Sequence, residues 1–111
     1  MALLNLLIAA LLSFPQAPAG DSKLDYHRIL QSDPEVQIAV KAAIADRRKV
    51  DRAIRLNSIV SAERAAVSGS NLRLCLSMDR SGTTEFARVV VSRTVTKRWS
   101  VDLWTWGSCG R

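Results

Sequence analysis

Three side chains in this sequence are of types that do metal or nucleophile chemistry: Cys75, Cys109 and His27, the only cysteines and the only histidine among 111 residues. A structural zinc site takes four donors of this kind, so these three cannot build one unaided, and no metal is expected. A Cys–His pair is arithmetically available, but neither cysteine stands in a helix-opening setting of the kind that lowers a thiol pKa. Phosphate-cradling glycine loops and the HExxH zinc motif are absent from the sequence. The expectation is a protein that is not an enzyme and uses no cofactor. In an oxidising compartment, two cysteines suggest one bridge instead.

The start of the chain points to such a compartment. Residues 2–12, ALLNLLIAALL, are apolar apart from one Asn, and Ala17-Pro18-Ala19 follows as a small-residue cleavage pattern. The run is shorter than the roughly 20 residues a membrane span needs. It reads as a secretory signal peptide over residues 1–19, leaving a mature domain of residues 20–111 and no membrane span after signal removal. That domain is small, burying roughly 60–65% of its unfolded surface, so a covalent staple would matter to it. The formal net charge is +6. This favours acidic surfaces in general and names no partner.

The elements that must position any functional residue follow from spacing. Tyr26, Ile29 and Leu30 suggest a short strand. Asp33-Pro34-Glu35 is a helix start: a capping carboxylate, a proline for the first helical position and an acid for the positive end of the dipole. Val36, Ala39, Val40, Ala43 and Ile44 recur at helical spacing, predicting one amphipathic helix of about 15 residues that ends in Arg47-Arg48-Lys49. Those cations read as a solvated last turn. Residues 54–67 are rich in β-branched side chains. They also carry the helix-favouring SAERAA, and it is the strand after them that decides for a strand here. There Leu72, Leu74, Leu76 and Met78 alternate with Arg73, Cys75 and Ser77. A turn over residues 79–83, a strand over 85–96, a turn at Lys97-Arg98 and a last strand over 101–106 complete the pattern. The fold class expected is α+β: a single helix packed across a four- to five-stranded antiparallel sheet.

Between the first two long strands lies AAVSGS, residues 65–70, an uncharged small-residue tip in a chain that is basic almost everywhere. Such a tip is either buried within the chain or kept smooth to be buried against another molecule. Taken alone, Ala65-Ala66-Val67 reads as strand core and Gly69 as an ordinary turn glycine. Trp104 and Trp106 share a strand face by period two and read as packing.

In this order the chain resembles a cystatin, the family of small inhibitors of papain-like cysteine proteases. Asp33-Pro34-Glu35-Val36 is similar to the family's Asp-Pro-x-Val helix opening, and Ala43-Ile44 falls where a helix Ala-Val pair is usual. Residues 60–72, VSAERAAVSGSNL, align without a gap on the first hairpin, x-x-Ala-x-x-Gln-Val-Val-Ala-Gly-x-Asn-Tyr. Lys97-Arg98-Trp99 stands at the second hairpin's Pro-Trp, and the terminal WTWGSC resembles the last strand of secreted animal members. The resemblance spans residues 33–109. Its departures are Ala65 for the loop Gln, Arg98 for the hairpin Pro, Arg47-Arg48 at the helix end, no Gly pair nine or ten residues before Asp33, and no cysteine near Thr84 to partner Cys109.

The resemblance implies a secreted inhibitor whose N-terminal arm and two hairpin tips enter a protease cleft as one wedge, reversibly and without a covalent bond. The residues carried over are Gly20, Ala65, Ala66, Val67, Ser68, Gly69, Arg98 and Trp99, with Trp99 as the aromatic anchor. The implied partner is one papain-like cysteine protease per inhibitor monomer, with no nucleic acid. The alternative function is a non-inhibitory, basic cystatin-like module acting on anionic surfaces through clusters such as Arg47-Arg48-Lys49 and Lys97-Arg98. Cys75 falls in the first hairpin's return strand. Two strands flanking a third have axes about 10 Å apart, beyond the roughly 7 Å Cα reach of a disulfide. A Cys75–Cys109 bridge is therefore expected only where the end of the last strand folds over. Intermolecular pairing and free thiols stay open.

Overall fold

The computed structural model describes residues 25–65 and 70–109. The expected signal peptide, Gly20, Ala66, Val67, Ser68 and Gly69 lie outside the described residues. Within them the chain forms β1 (Tyr26–Ile29), α1 (Pro34–Arg47), β2 (Ile54–Ala65), β3 (Ser70–Arg80), β4 (Thr83–Arg93) and β5 (Trp99–Trp106). The five strands make one antiparallel sheet in the order β1-β2-β3-β4-β5, and α1 packs against one face. The α+β arrangement of one helix on five antiparallel strands is thus the observed architecture.

The helix begins where its sequence dictates. The Asp33 carboxylate accepts the Glu35 backbone N–H at 2.8 Å, and Pro34, which has no N–H to satisfy, opens the first turn. Asp33→Ala is expected to cost about 1 kcal/mol, whereas Asp33→Asn, which keeps a capping oxygen, should cost only a fraction of that. Thermal unfolding of the two variants checks it.

Val36, Ala39, Val40, Ala43 and Ile44 are all buried. They meet Leu72, Leu74, Leu76 and Met78 of β3 and Ala87, Val89 and Val91 of β4 in a single core. Trp99, Val101, Trp104 and Trp106 of β5 pack on its margin. Val101 and Trp104 are three residues apart, which would set them on opposite faces of a regular strand. A bulge solves this: the register steps from Val90↔Leu103 to Val91↔Val101, leaving Asp102 over.

Strand limits differ from the sequence expectation at both later turns. The β3–β4 turn is two residues, not five, because Ser81 (φ 54°) and Gly82 (φ 88°) both take left-handed dihedrals, and pairing runs out to Arg80↔Thr83. β4 stops at Arg93, before the expected 96. There Thr94 donates its N–H to Arg98 O at 2.9 Å, and Lys97 donates to Thr94 O at 2.8 Å, closing a loop over residues 94–98.

Cys75 and Cys109 are bridged, with Cα atoms 5.8 Å apart. The distance argument from parallel strand axes fails because the chain leaves the sheet plane after Trp106. Gly107, at φ 133°, donates its N–H to Phe86 O at 2.7 Å, and the Cys109 sulfur lies 3.6 Å from Ala87 O. Residues 107–109 therefore cross β4 on the face opposite α1, where Cys75 waits beside Arg88. This is the fold-over on which the bridge depends.

Candidate functional site

The antiparallel register brings three segments to one end of the sheet. Tyr26, the first residue of β1, pairs with Ala65, the last of β2. Residues 66–69 join Ala65 to Ser70, and Ser70 pairs with Arg93, the last residue of β4. Residues 94–98 then join Arg93 to Trp99, which pair with each other. The start of β1, the end of β2, the start of β3, the end of β4 and the start of β5 thus lie side by side, with the 94–98 loop beside them.

The helix N-terminus reaches the same end and ties these segments together through one carboxylate. Glu35 Oε1 accepts from Arg64 of β2. Its Oε2 accepts from Ser70 Oγ of β3 at 2.7 Å and lies 3.2 Å from Arg93 Nη2 of β4. Arg93 also donates to Ser70 Oγ at 3.3 Å, and its guanidinium carbon sits 5.4 Å from the centre of the Trp99 ring. Asp33 stands 3.8 Å from Arg64 as a second anion. The Glu35 side chain is only 19% exposed. Burial works against its charged form, but the hydrogen bonds from Ser70 and Arg64 and the charges of Arg64 and Arg93 outweigh it and hold its pKa below the ordinary value. One group therefore fastens α1, β2, β3 and β4 at the base of both hairpin connections.

The residues singled out from sequence fare differently. Arg98 is exposed on the β4–β5 loop. Trp99 is half-buried and packs on the core, so much of its ring already serves the fold. Ala65, the last residue of β2, is 2% exposed. Sequence reasoning misses Val95, an apolar side chain 98% exposed at the crest of the same loop. Its place in a valine-rich run assigns it by pattern to the strand. The loop that presents it is braced by a 2.8 Å contact between the Thr94 and Thr96 hydroxyls and by the Arg98 N–H on Thr94 Oγ1 at 3.3 Å.

No protein family, curated protein or solved structure matches this chain. What its sheet end can do thus follows from shape and chemistry. It offers aligned strand ends and, beside them, a loop with an exposed valine and an arginine at its crest. Elsewhere, the other side chains singled out make contacts within the chain. His27 lies 3.6 Å from Asp25 on β1, while both cysteine sulfurs are held in the bridge. In the Arg47-Arg48-Lys49 cluster, Arg47 stacks over Trp104 at 5.5 Å, Arg48 donates to Ile54 O at 3.2 Å and Lys49 pairs with Asp46 at 3.7 Å.

Proposed function

We propose that the protein is a secreted, cystatin-like inhibitor of papain-like cysteine proteases, blocking the active-site cleft reversibly and 1:1 with its N-terminal arm and two hairpin tips. The observation that carries this reading is the register that sets the start of β1, the ends of β2 and β3 that residues 66–69 join, and the β4–β5 loop side by side at one end of the sheet. Strand ends set side by side suit a narrow inhibitory edge, and a bracing network at their base lowers the entropy lost on docking. The helix across five antiparallel strands and the alignment of VSAERAAVSGSNL support it further. No step of bond making is required of the inhibitor: occupation of the cleft denies it to substrate.

The test is a titration of papain with the secreted chain at low and high salt. The expected result is a saturable, 1:1 loss of activity that survives the shortening of the Debye length from about 10 Å to about 3 Å. Replacing the crest residues in Val95→Asp/Arg98→Asp should weaken inhibition about tenfold while leaving thermal stability within about 0.5 kcal/mol, since both side chains are exposed. A folded protein that leaves papain and other papain-like enzymes untouched at micromolar concentration would overturn the proposal. The charge of +6 would then favour a module for anionic surfaces, whose binding fades with salt.

A further inference from the structure

The face of the sheet opposite α1 carries a trough of about 560 Å³, within the range of pockets that hold small ligands or a few residues of peptide. Its lining comes from four strands and the C-terminal crossover. Arg28, Glu63 and Arg73 stand in one row across β1, β2 and β3, paired Arg28↔Glu63 and Glu63↔Arg73. Cys75 and Arg88 are partners in the next row across β3 and β4. Val60 and the Cys75–Cys109 bridge supply apolar surface beside them.

The charges in this trough do not cancel. Glu63 accepts from Arg73 Nε at 2.7 Å, and the Arg73 guanidinium also covers the Tyr26 ring at 4.2 Å. That leaves Arg28 and Arg88, both exposed, with no ion pair to any described residue. Two guanidiniums facing one concavity are suited to carboxylates, which they bind through paired parallel N–H donors. The trough also meets an open sheet edge. β1 pairs with β2 only as far as Ile29↔Ala62; just past it Gln31 Nε2 donates to Val60 O at 2.5 Å, and residues 54–59 of β2 have no strand beside them on that side among the described residues.

We infer that this trough is a second binding site, for an acidic, extended peptide segment of a partner protein that alternates carboxylate and apolar side chains. The carboxylates meet Arg28 and Arg88, and the apolar side chains rest on Val60 and the disulfide. The neighbouring β2 edge gives such a segment backbone donors and acceptors. A sulfated sugar chain matches the cations, but it brings no apolar side chains for the floor and no strand for the edge. The site stands on the other side of the molecule's helix–sheet layering and does not depend on the inhibitor reading.

The experiment is fluorescence anisotropy of a labelled eight-residue peptide alternating glutamate and valine, titrated with the secreted chain at 0.05 M and 0.15 M salt. Saturable binding is expected. The Arg28→Gln/Arg88→Gln double variant should weaken it about tenfold. Lys41→Gln/Arg52→Gln removes the same charge from α1 and the turn before β2, and should change it less than twofold. Circular dichroism of both variants should match the parent. Equal weakening by the two double variants would overturn the site, because only overall charge would then be at work, and so would absence of binding at millimolar peptide. Tighter, Arg28- and Arg88-dependent binding of heparin than of the peptide would overturn the choice of a peptide as the occupant.

Discussion

Cys109→Ser is expected to lower the unfolding free energy by about 3–4 kcal/mol. The bridge closes a loop of 34 residues, and the conformational freedom that this denies to the unfolded chain grows with the logarithm of that length. For a domain of this size, 1 kcal/mol moves Tm by about 4–8 °C, so the loss should exceed about 12 °C. Cys75→Ser should do the same, and the double variant should fall no further than either single one, because both remove a single bond. Adding reductant to the parent protein should reproduce the variants, while the variants themselves should ignore reductant. Parent and variant melting together under oxidising conditions would show that the bridge does not form in solution. The size of the effect reflects the small core, in which 14 residues of one helix and three strands supply the buried cluster.

The second large effect is expected at Glu35. Glu35→Gln keeps the shape but removes the charge that Arg64 and Arg93 face, and should cost about 1–3 kcal/mol at neutral pH. The arginines are about a third exposed, which moderates the loss through solvent screening. Its pH dependence identifies the mechanism. The Glu35 pKa is lowered in the folded state, so its contribution is fully present above the ordinary glutamate value of about 4.3 and is lost as pH falls through the lower folded value. Parent and variant should therefore differ in urea unfolding at pH 7 and converge only as pH falls through the lowered folded value, where the parent carboxylate also loses its charge. A gap that persists undiminished into acid would assign the cost to packing. Because the same carboxylate fastens the bases of both hairpin connections, Glu35→Gln should also weaken papain inhibition at neutral pH if these connections form the inhibitory edge.

Local chemistry makes the helix legible in the sequence. A capping carboxylate, a proline and a five-residue apolar stripe all act within a few turns of chain, and Asp33, Pro34 and the buried residues from Val36 to Ile44 stand as expected. The alternation of Leu72, Leu74, Leu76 and Met78 likewise marks the core face of β3. Strand ends are harder to place. Ser81 adopts a left-handed turn that its residue type does not announce, and the Asp102 bulge breaks the period-two pattern that would place Val101 and Trp104. In the sequence Glu35 is visible only as a helix-opening acid. Its partners lie 29, 35 and 58 residues away, and no spacing rule links them. The anchor role of Trp99 is implied by the resemblance alone; that its ring also packs on the core margin follows from a strand register no local spacing fixes. Spacing alone leaves the bridge open, because its geometry hangs on one bend at Gly107, beyond the end of the strand pattern.

The crossover that carries Cys109 back to Cys75 also decides how the molecule bears force. Pulled by its two ends, the chain transmits tension through β1, α1, β2 and the first part of β3. At Cys75 the sulfur bridge hands the load directly to Cys109. The rest of β3, with β4 and β5, is bypassed. At about 3.3–3.6 Å per extended residue, roughly 110–120 Å of contour stays locked away until the bridge is reduced. Under tension the protein is thus two bodies, an extensible N-terminal half and a shielded C-terminal ring, and only a change of redox state makes them one.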